Sequence, residues 1–319
     1  MEKWLRMGPL WSNIKFFLYK MTYGTYFKYV IYVHTYKIRK KMRILNSVET
    51  LQYILRNRCS ISRFGDGELR MIAYYLQDGD KKAYQIDTFQ EYDVKLGKRL
   101  LEVLLSEYSN CLVCIPYVFR EFSVYKGYER FHFEREYAYY KNLLKFVYER
   151  RKQMNFGDSC FTRFYYNRTD IPHLPMYVQQ MKQVWDNQNI VFLEGEKSRL
   201  GVGNDLFDNA NSIQRFLLPA TNAFQRYDEI LSAVKQMPKD KLYLIALGHT
   251  ATVLAYDMAQ LGFWAIDIGH VDIEYEWMRM GAKTKMAVPN KYVNEVSNGR
   301  IQTELDDPVY LSQIVGKLE

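Results

Sequence analysis

The sequence predicts an α/β fold, a mostly parallel sheet with helices on both faces. Three observations carry that reading. Short apolar runs without alternation, such as "CLVCIP" (111–116), "NIVFLEG" (189–195) and "KLYLIALG" (241–248), read as strands buried on both faces. Segments of helical periodicity separate them, the order that builds parallel crossovers. Glycines and charged residues gather where the apolar runs end, and such sheets bind ligands at the carboxyl ends of their strands. With 319 residues, 48% hydrophobic and 25% charged, the chain can bury one large core or two small ones.

The elements follow in order after residue 44. "SVETLQYILRNR" (47–58) opens with Ser47 and has Glu49 in its first turn, the pattern of a capped helix. "CSISRF" (59–64) is a short strand, "FQEYDVKLGKRLLEVLLSE" (89–107) a helix, and "CLVCIP" a strand stopped by Pro116. Two helices, "FEREYAYYKNLLKFVYERRKQM" (133–154) and "PMYVQQMKQVWDN" (175–187), precede the strand "NIVFLEG". "RFLLPA" (215–220) is a strand, "FQRYDEILSAVKQM" (224–237) a helix and "KLYLIALG" a strand. "TATVLAYDMAQLG" (250–262) is a helix closed by Gly262, and "WAIDIG" (264–269) is the last clear strand. The one boundary falls near residue 44, dividing an N-terminal segment (1–43) from a main domain (44–319).

Charge supports that division. Residues 1–43 hold ten Lys/Arg against a single acid, Glu2, whereas the rest holds 34 basic and 35 acidic groups. The segment also carries eleven aromatics. It lacks the ~20 apolar residues of a membrane span and has no signal-peptide cleavage pattern. Basic plus aromatic composition suits a surface resting on anionic lipid, or a hairpin packed on the domain or on a second subunit, a homo-oligomer contact. No nucleic-acid-binding motif accompanies the charge. Cys111 and Cys114 form C-x-x-C inside an apolar run with no second pair, so buried reduced thiols are expected, as in a cytoplasmic protein, membrane-associated at the inner face if lipid is the partner.

Four polar clusters fall at strand ends. In "SRFGDGE" (62–68), Asp66 and Glu68 stand two apart; in extended backbone both carboxylates reach one point, an oxygen pair for Mn²⁺ or Mg²⁺. Gly65 and Gly67 let the backbone turn and approach a ligand. The alternative is a helix start, with Asp66 as cap and Glu68 in the first turn. "EGEKSRLGVGND" (194–205) is a glycine-rich polar loop offering Arg199, Asn204 and Asp205; it matches neither a P-loop nor a dinucleotide fingerprint. "LGHTATVLAYD" (247–257) ends a strand at Gly248 and starts a helix near Thr250, read as its N-cap, as part of a helix N-terminus that suits a phosphate, or as both; His249 is placed to touch a ligand but reads first as a solvated loop residue. In "DIGHVDIEYEW" (267–277), His270, Asp272, Glu274 and Glu276 alternate with apolar residues and share one face if extended.

Together with "PATNAFQRYDEIL" (219–231), these motifs resemble the GT-D-type glycosyltransferases, bacterial enzymes with a Rossmann-like fold. The resemblance runs from about residue 47 to 295 and stops short of the basic segment. His249 stands where a proline is expected of the family. The resemblance implies transfer of a sugar, glucose first, from a nucleotide donor, typically a UDP-sugar. The acceptor would be a glycan hydroxyl, lipid-linked or protein-linked, in bacterial cell-surface polysaccharide or glycoprotein assembly. It implies Mn²⁺ (or Mg²⁺) on Asp66 and Glu68, with His270 adding to the metal or phosphate site. Arg63, Arg199 and Asn222 become donor contacts. Glu276 becomes the base, with Asp272 and Glu274 behind it. Two other classes stand beside this one: a metal-independent nucleotide- or S-adenosylmethionine-dependent transferase, and a non-enzymatic membrane-surface scaffold.

Overall fold

The computed structural model describes residues 35–77, 89–151, 155–300 and 304–318, with residues 24, 25, 28, 29 and 33. Most of the basic segment, and with it the expected membrane or subunit contact, lies outside the described residues. Helix α1 (Tyr36–Lys41), at its end, packs on the main domain. There Arg39 is buried, donates to the Arg120 carbonyl at 2.5 Å and lies over the Phe122 ring. Lys40 pairs with Glu121 at 2.8 Å. No described helix is long and apolar enough to cross a membrane.

Eight strands make one sheet: β1 (Ser60–Arg63), β2 (Cys111–Ile115), β3 (Gly157–Asp158), β4 (Asn189–Gly195), β5 (Ser212–Leu218), β6 (Leu242–Ala246), β7 (Trp264–Asp267) and β8 (Ile314–Lys317). Their spatial order is β3-β2-β1-β7-β6-β4-β5-β8, and every described pair is parallel. Strand side chains alternate between two cores. Val113, Val191, Tyr243 and Ala265 face one; Leu112, Phe192, Leu244 and Ile266 face the other. The first core is covered by α3 (Asp66–Leu76), α4 (Val94–Leu105), α5 (Gly127–Arg150), α7 (Tyr227–Lys235) and α8 (His249–Gln260). The second is covered by α2 (Ser47–Asn57), α6 (Leu174–Lys182) and α9 (Val271–Arg279).

Local chemistry explains the elements near the site. Asn46, not Ser47, caps α2 in a reciprocal box with Glu49. Ser47 donates instead to buried Asp158 at 2.5 Å. The serines of β1 serve close packing: Ser62 donates to the Thr252 carbonyl at 2.8 Å and Ser60 to that of Phe263 at 3.2 Å. The small residues Ala251, Ala255 and Ala259 bring α8 down onto the strands. All four cysteines are free and buried, and Cys111 and Cys114 face opposite cores, so they form no chelating or redox pair. Burial pushes the Cys111 thiol up to about 12. Helix α10 (Pro308–Gln313) and β8 add to the elements expected from the sequence; β8 is a short, half-exposed edge strand without an apolar run to signal it.

The chain leaves β1 toward β2 on one side, and enters β7 from β6 on the other. Helix α3 then crosses one face while α9 crosses the opposite face, so β1 and β7 flank a switch point and a crevice opens above their ends. The glycine-rich loop is fixed at its base by a buried ion pair. Arg215 Nη1 lies 2.6 Å from Glu194 Oε1, at 3% and 0% side-chain exposure. Glu194 accepts from Leu200 N at 2.8 Å, and Arg215 donates to Leu200 O at 2.7 Å. Breaking a buried pair leaves an uncompensated charge, so Glu194→Ala is expected to cost about 3–5 kcal/mol in denaturant unfolding.

Candidate active site

The crevice above β1 and β7 encloses about 890 Å³. Arg63 closes β1 and Asp267 closes β7. The guanidinium meets Asp267 Oδ1 at 3.3 Å, donates to Ser159 O at 2.9 Å and bonds the Thr162 hydroxyl. Gly269 is required beside it. Its φ is +46°, and a Cβ there would stand 1.8 Å from Arg63 Nη2. Burial pushes the Asp267 carboxyl up to about 6 against the pull of Arg63, with Glu68 adding to the rise.

Asp66 and Glu68 both line the crevice, but on the first turn of α3, not on extended backbone. Two residues apart on a helix, they point in different directions, which corrects the single meeting point expected of them. Gly65 is the N-cap and Asp66 the first helical residue, so Asp66 is not the cap either. Glu68 Oε2 turns back to accept from Gly65 N at 2.7 Å. Asp66 Oδ2 lies 3.7 Å from Arg70 and 3.8 Å from His132 Nε2, with its side chain 48% exposed. Burial raises the Asp66 carboxyl, but His132, Arg70 and Arg163 outweigh it and hold it below the usual range. Gly67 makes room for its neighbour, since a Cβ would lie 2.4 Å from His249 Nε2.

His249 is therefore buried as the first residue of α8 and not solvated in a loop. Gly248 (φ +54°) lines the crevice, with a Cβ position 2.2 Å from the Phe89 ring. Thr250 is fully buried inside the helix, is not its cap and does not line the crevice. Asn222 acts one step removed: in left-handed backbone, it donates from N to Phe89 O and accepts from Glu91 N through Oδ1 at 2.7 Å, holding the strand of chain over Gly248.

The largest correction concerns residues 270–277. The extended reading fails because β7 ends at Asp267 and Val271–Arg279 is helical, so the four polar groups do not share a face. His270 and Glu274 fall on one side of α9, and Asp272 and Glu276 on another. Asp272 Oδ2 meets buried Lys291 at 2.5 Å and its Oδ1 accepts from Gly201 N and Asn204 Nδ2. Glu276 accepts from Asn204 Nδ2 at 2.7 Å, beside Lys291 and Arg279, and does not line the crevice. Asn204 thus ties the loop to α9. Asp205 points outward to Tyr275 and Lys182, and Arg199 (φ +51°) donates to Asn290 O at 3.0 Å. Those three loop residues do not line the crevice.

His270, Asp272 and Glu274 do line it. Burial first, then Arg163, brings the His270 imidazole down to about 4, so it is neutral at pH 7. Its Nε2 lies 3.2 Å from Asn294 Oδ1. Glu274 Oε2 accepts from the Tyr165 and Tyr166 amides at 3.0 and 3.1 Å, and burial raises its carboxyl despite Arg163 at 3.8 Å. Sequence reasoning missed Arg163, Lys285 and Glu295, which lie in segments without a periodic signal. Arg163 meets Glu295 at 2.6 Å, and Lys285 lies 3.7 Å from Glu295 and 3.3 Å from Glu129, joining α5, the 160s loop and the 285–295 segment around the mouth.

Among the described residues no three acid, histidine or cysteine side chains form a ready metal cage. The donor set consists of hard carboxylate oxygens, one of them half exposed. That chemistry suits a dication that keeps water and phosphate ligands and needs only one or two carboxylates from the protein.

Fold and site define a doubly wound α/β protein with a charged ligand crevice at its switch point. The family described as "Glycosyltransferase GT-D fold" matches residues 61–296. "Glycosyltransferase GlyD" of Streptococcus pneumoniae serotype 4 is 34% identical over 275 residues, 85% of this chain and 32% of that protein. "Probable glycosyl transferase Gly" of Streptococcus gordonii is 34% identical over 284 residues, 88% of this chain and 39% of that protein. The chain thus spans about a third of the length of these curated relatives. A solved structure of the highly conserved domain of unknown function 1792, described as having a distinct glycosyltransferase fold, superposes with TM-score 0.79 at 34% identity, covering 89% of this chain and 98% of that one. A new glycosyltransferase (DUF1792) from Streptococcus sanguinis gives TM-score 0.76 at 33% identity, covering 87% and 100%. The chain belongs to the GT-D-fold glycosyltransferases.

The mouth network yields a pH prediction. Burial raises the Glu295 carboxyl, but Arg163, His270 and Lys285 win and hold it at about 2. Its folded value is depressed, so its contribution, at most about 3 kcal/mol, is present above its unfolded pKa and lost as pH falls toward 2. Glu295→Gln is expected to lower the melting temperature at pH 7, with the gap to wild type closing below about pH 4.5 in calorimetric scans.

Proposed function

We propose that this chain transfers a sugar from a nucleoside diphosphate donor, a UDP-sugar with glucose the first choice, to a glycan hydroxyl of a cell-surface polysaccharide or glycoprotein. The observation that supports it most is the crevice itself. In a chain of this family, Arg63, Arg70 and Arg163 line the same crevice as Asp66 and Glu68, which stand at the start of α3 just after β1. Such cations suit a diphosphate, and one or two carboxylates from this helical turn suit a dication carried in with it. Asp66 and Glu68 would hold Mn²⁺ or Mg²⁺, which when bound supplies neutralisation of the charge growing on the leaving diphosphate. Arg63 is held in place by Asp267 and adds fixed positive charge. His270, neutral and facing Asn294, offers a hydrogen bond and not a charge.

The acceptor hydroxyl needs a base within reach. Of the three acids on α9, Glu274 suits this best. It lines the crevice and its basicity is raised by burial, whereas Asp272, also at the crevice, is locked to Lys291 and Glu276 lies beneath the loop. A single base suits an inverting displacement.

Two measurements test this reading. Isothermal calorimetry of UDP with Mn²⁺ is expected to show binding to the wild-type chain, weakened at least about tenfold by Asp66→Ala or Glu68→Ala. Both variants binding like wild type would remove the metal assignment. Glu274→Gln is expected to depress transfer by about 10²–10⁴-fold with donor affinity little changed. Glu276→Gln should act mainly on loop stability. The opposite pattern would return the base to Glu276.

A further inference from the structure

We propose that Tyr128 is the floor of an acceptor subsite, a platform for a pyranose ring of the glycan that receives the transferred sugar. This rests on the glycosyl-transfer reading above. Tyr128 lies in the first turn of α5, just after Gly127 in left-handed backbone (φ +59°). It lines the crevice and remains 55% exposed, whereas Tyr125, three residues before it, and Phe131, three residues after it, are buried. A tyrosine left open to a polar cleft contributes little to a core. Its exposed ring is presented to what enters the cleft.

The ring is physically continuous with the proposed diphosphate end. One helical turn on, the His132 ring lies near-parallel to it, 26° between planes and 6.4 Å between centroids. His132 Nε2 in turn is 3.8 Å from Asp66 Oδ2. A chain of contact therefore runs from the metal-site carboxylate through His132 to Tyr128. An acceptor must sit beside the donor's reacting carbon, which is next to the diphosphate, and it must enter through the mouth where Tyr128 is exposed.

The surroundings suit a sugar. A pyranose presents C–H groups on its faces and hydroxyls around its edge. The electron-rich face of a tyrosine attracts the former. Charged groups that line the same crevice serve the latter: Glu129 and Lys285 lie 3.3 Å apart, and Lys285 reaches Glu295 at 3.7 Å. The other end of the crevice, above β6 and β4, is formed by Phe89, Ala246, Gly248 and Leu200. That end, where the Phe89 ring lies against Gly248, suits the planar base of the donor and leaves the Tyr128 end to the acceptor.

Saturation-transfer NMR on the full chain with saturating UDP and Mn²⁺ tests this, using methyl α- and β-glucopyranoside and methyl N-acetyl-β-glucosaminide as probes. Ring protons of at least one glycoside are expected to take up saturation from the wild-type protein. Tyr128→Ala should cut that glycoside's affinity about tenfold, and Tyr128→Trp should retain it. UDP affinity by calorimetry should be unchanged in both variants. The platform is overturned if Tyr128→Ala leaves glycoside contact intact, if it weakens UDP instead, or if the wild-type–UDP complex binds none of the probes. Failure of the wild-type chain to bind UDP at all would overturn the glycosyl-transfer reading itself.

Discussion

The site depends on one contact between neighbouring strands that the chain reaches some 200 residues apart. Arg63 at the end of β1 meets Asp267 at the end of β7, and Gly269 leaves the space in which the guanidinium lies. Because α3 and α9 depart over opposite faces, a crevice opens at this point, and Ser159 and Thr162 from the β3–β4 connection meet the guanidinium there. The pair therefore does two things. It joins the halves of the sheet across the switch point, and it places a cation where α3 delivers Asp66 and Glu68. A side chain at Gly269 would force the guanidinium aside and disturb every charge that it balances.

A second layer holds the walls. The glycine-rich loop bends sharply through Arg199, Gly201 and Gly203, all in left-handed backbone. It is anchored below by Glu194 and Arg215 and laterally by Asn204 on α9. This loop is a support and not a direct wall for the most part; only Ser198 and Leu200 from its centre line the crevice. Across the mouth, the run Glu274–Arg163–Glu295–Lys285–Glu129 alternates in sign, so each group stabilises the next in a partly desolvated setting. The same alternation leaves the crevice able to meet both phosphate and hydroxyl groups.

The fold was legible in the sequence because parallel strands buried on both faces announce themselves as apolar runs. β2, β4 and β6 were placed within a residue or two. The site was legible in part. The motif around Asp66 stands out in the sequence but its geometry does not, since two acids after a strand fit an extended turn and a helix start equally well by spacing alone. The alternation of His270 to Glu276 was a stronger trap. Val271, Ile273, Tyr275 and Trp277 mimic period two, yet all are buried because α9 is enclosed on most sides, its polar groups satisfied by Lys291, Asn204 and backbone amides. Arg163 and Glu295 were invisible because their meaning is a contact between distant loops, which no local pattern encodes.

The central claim is that a nucleoside diphosphate is held at the β1–β7 switch point with a dication on α3. A crystal structure of the full chain with UDP and Mn²⁺, read with anomalous scattering from manganese, tests it most directly. The account predicts a manganese peak bonded to Asp66 or Glu68 and to the diphosphate, with Arg63 facing the phosphates. A diphosphate seated elsewhere, or a manganese bound away from α3, would contradict it.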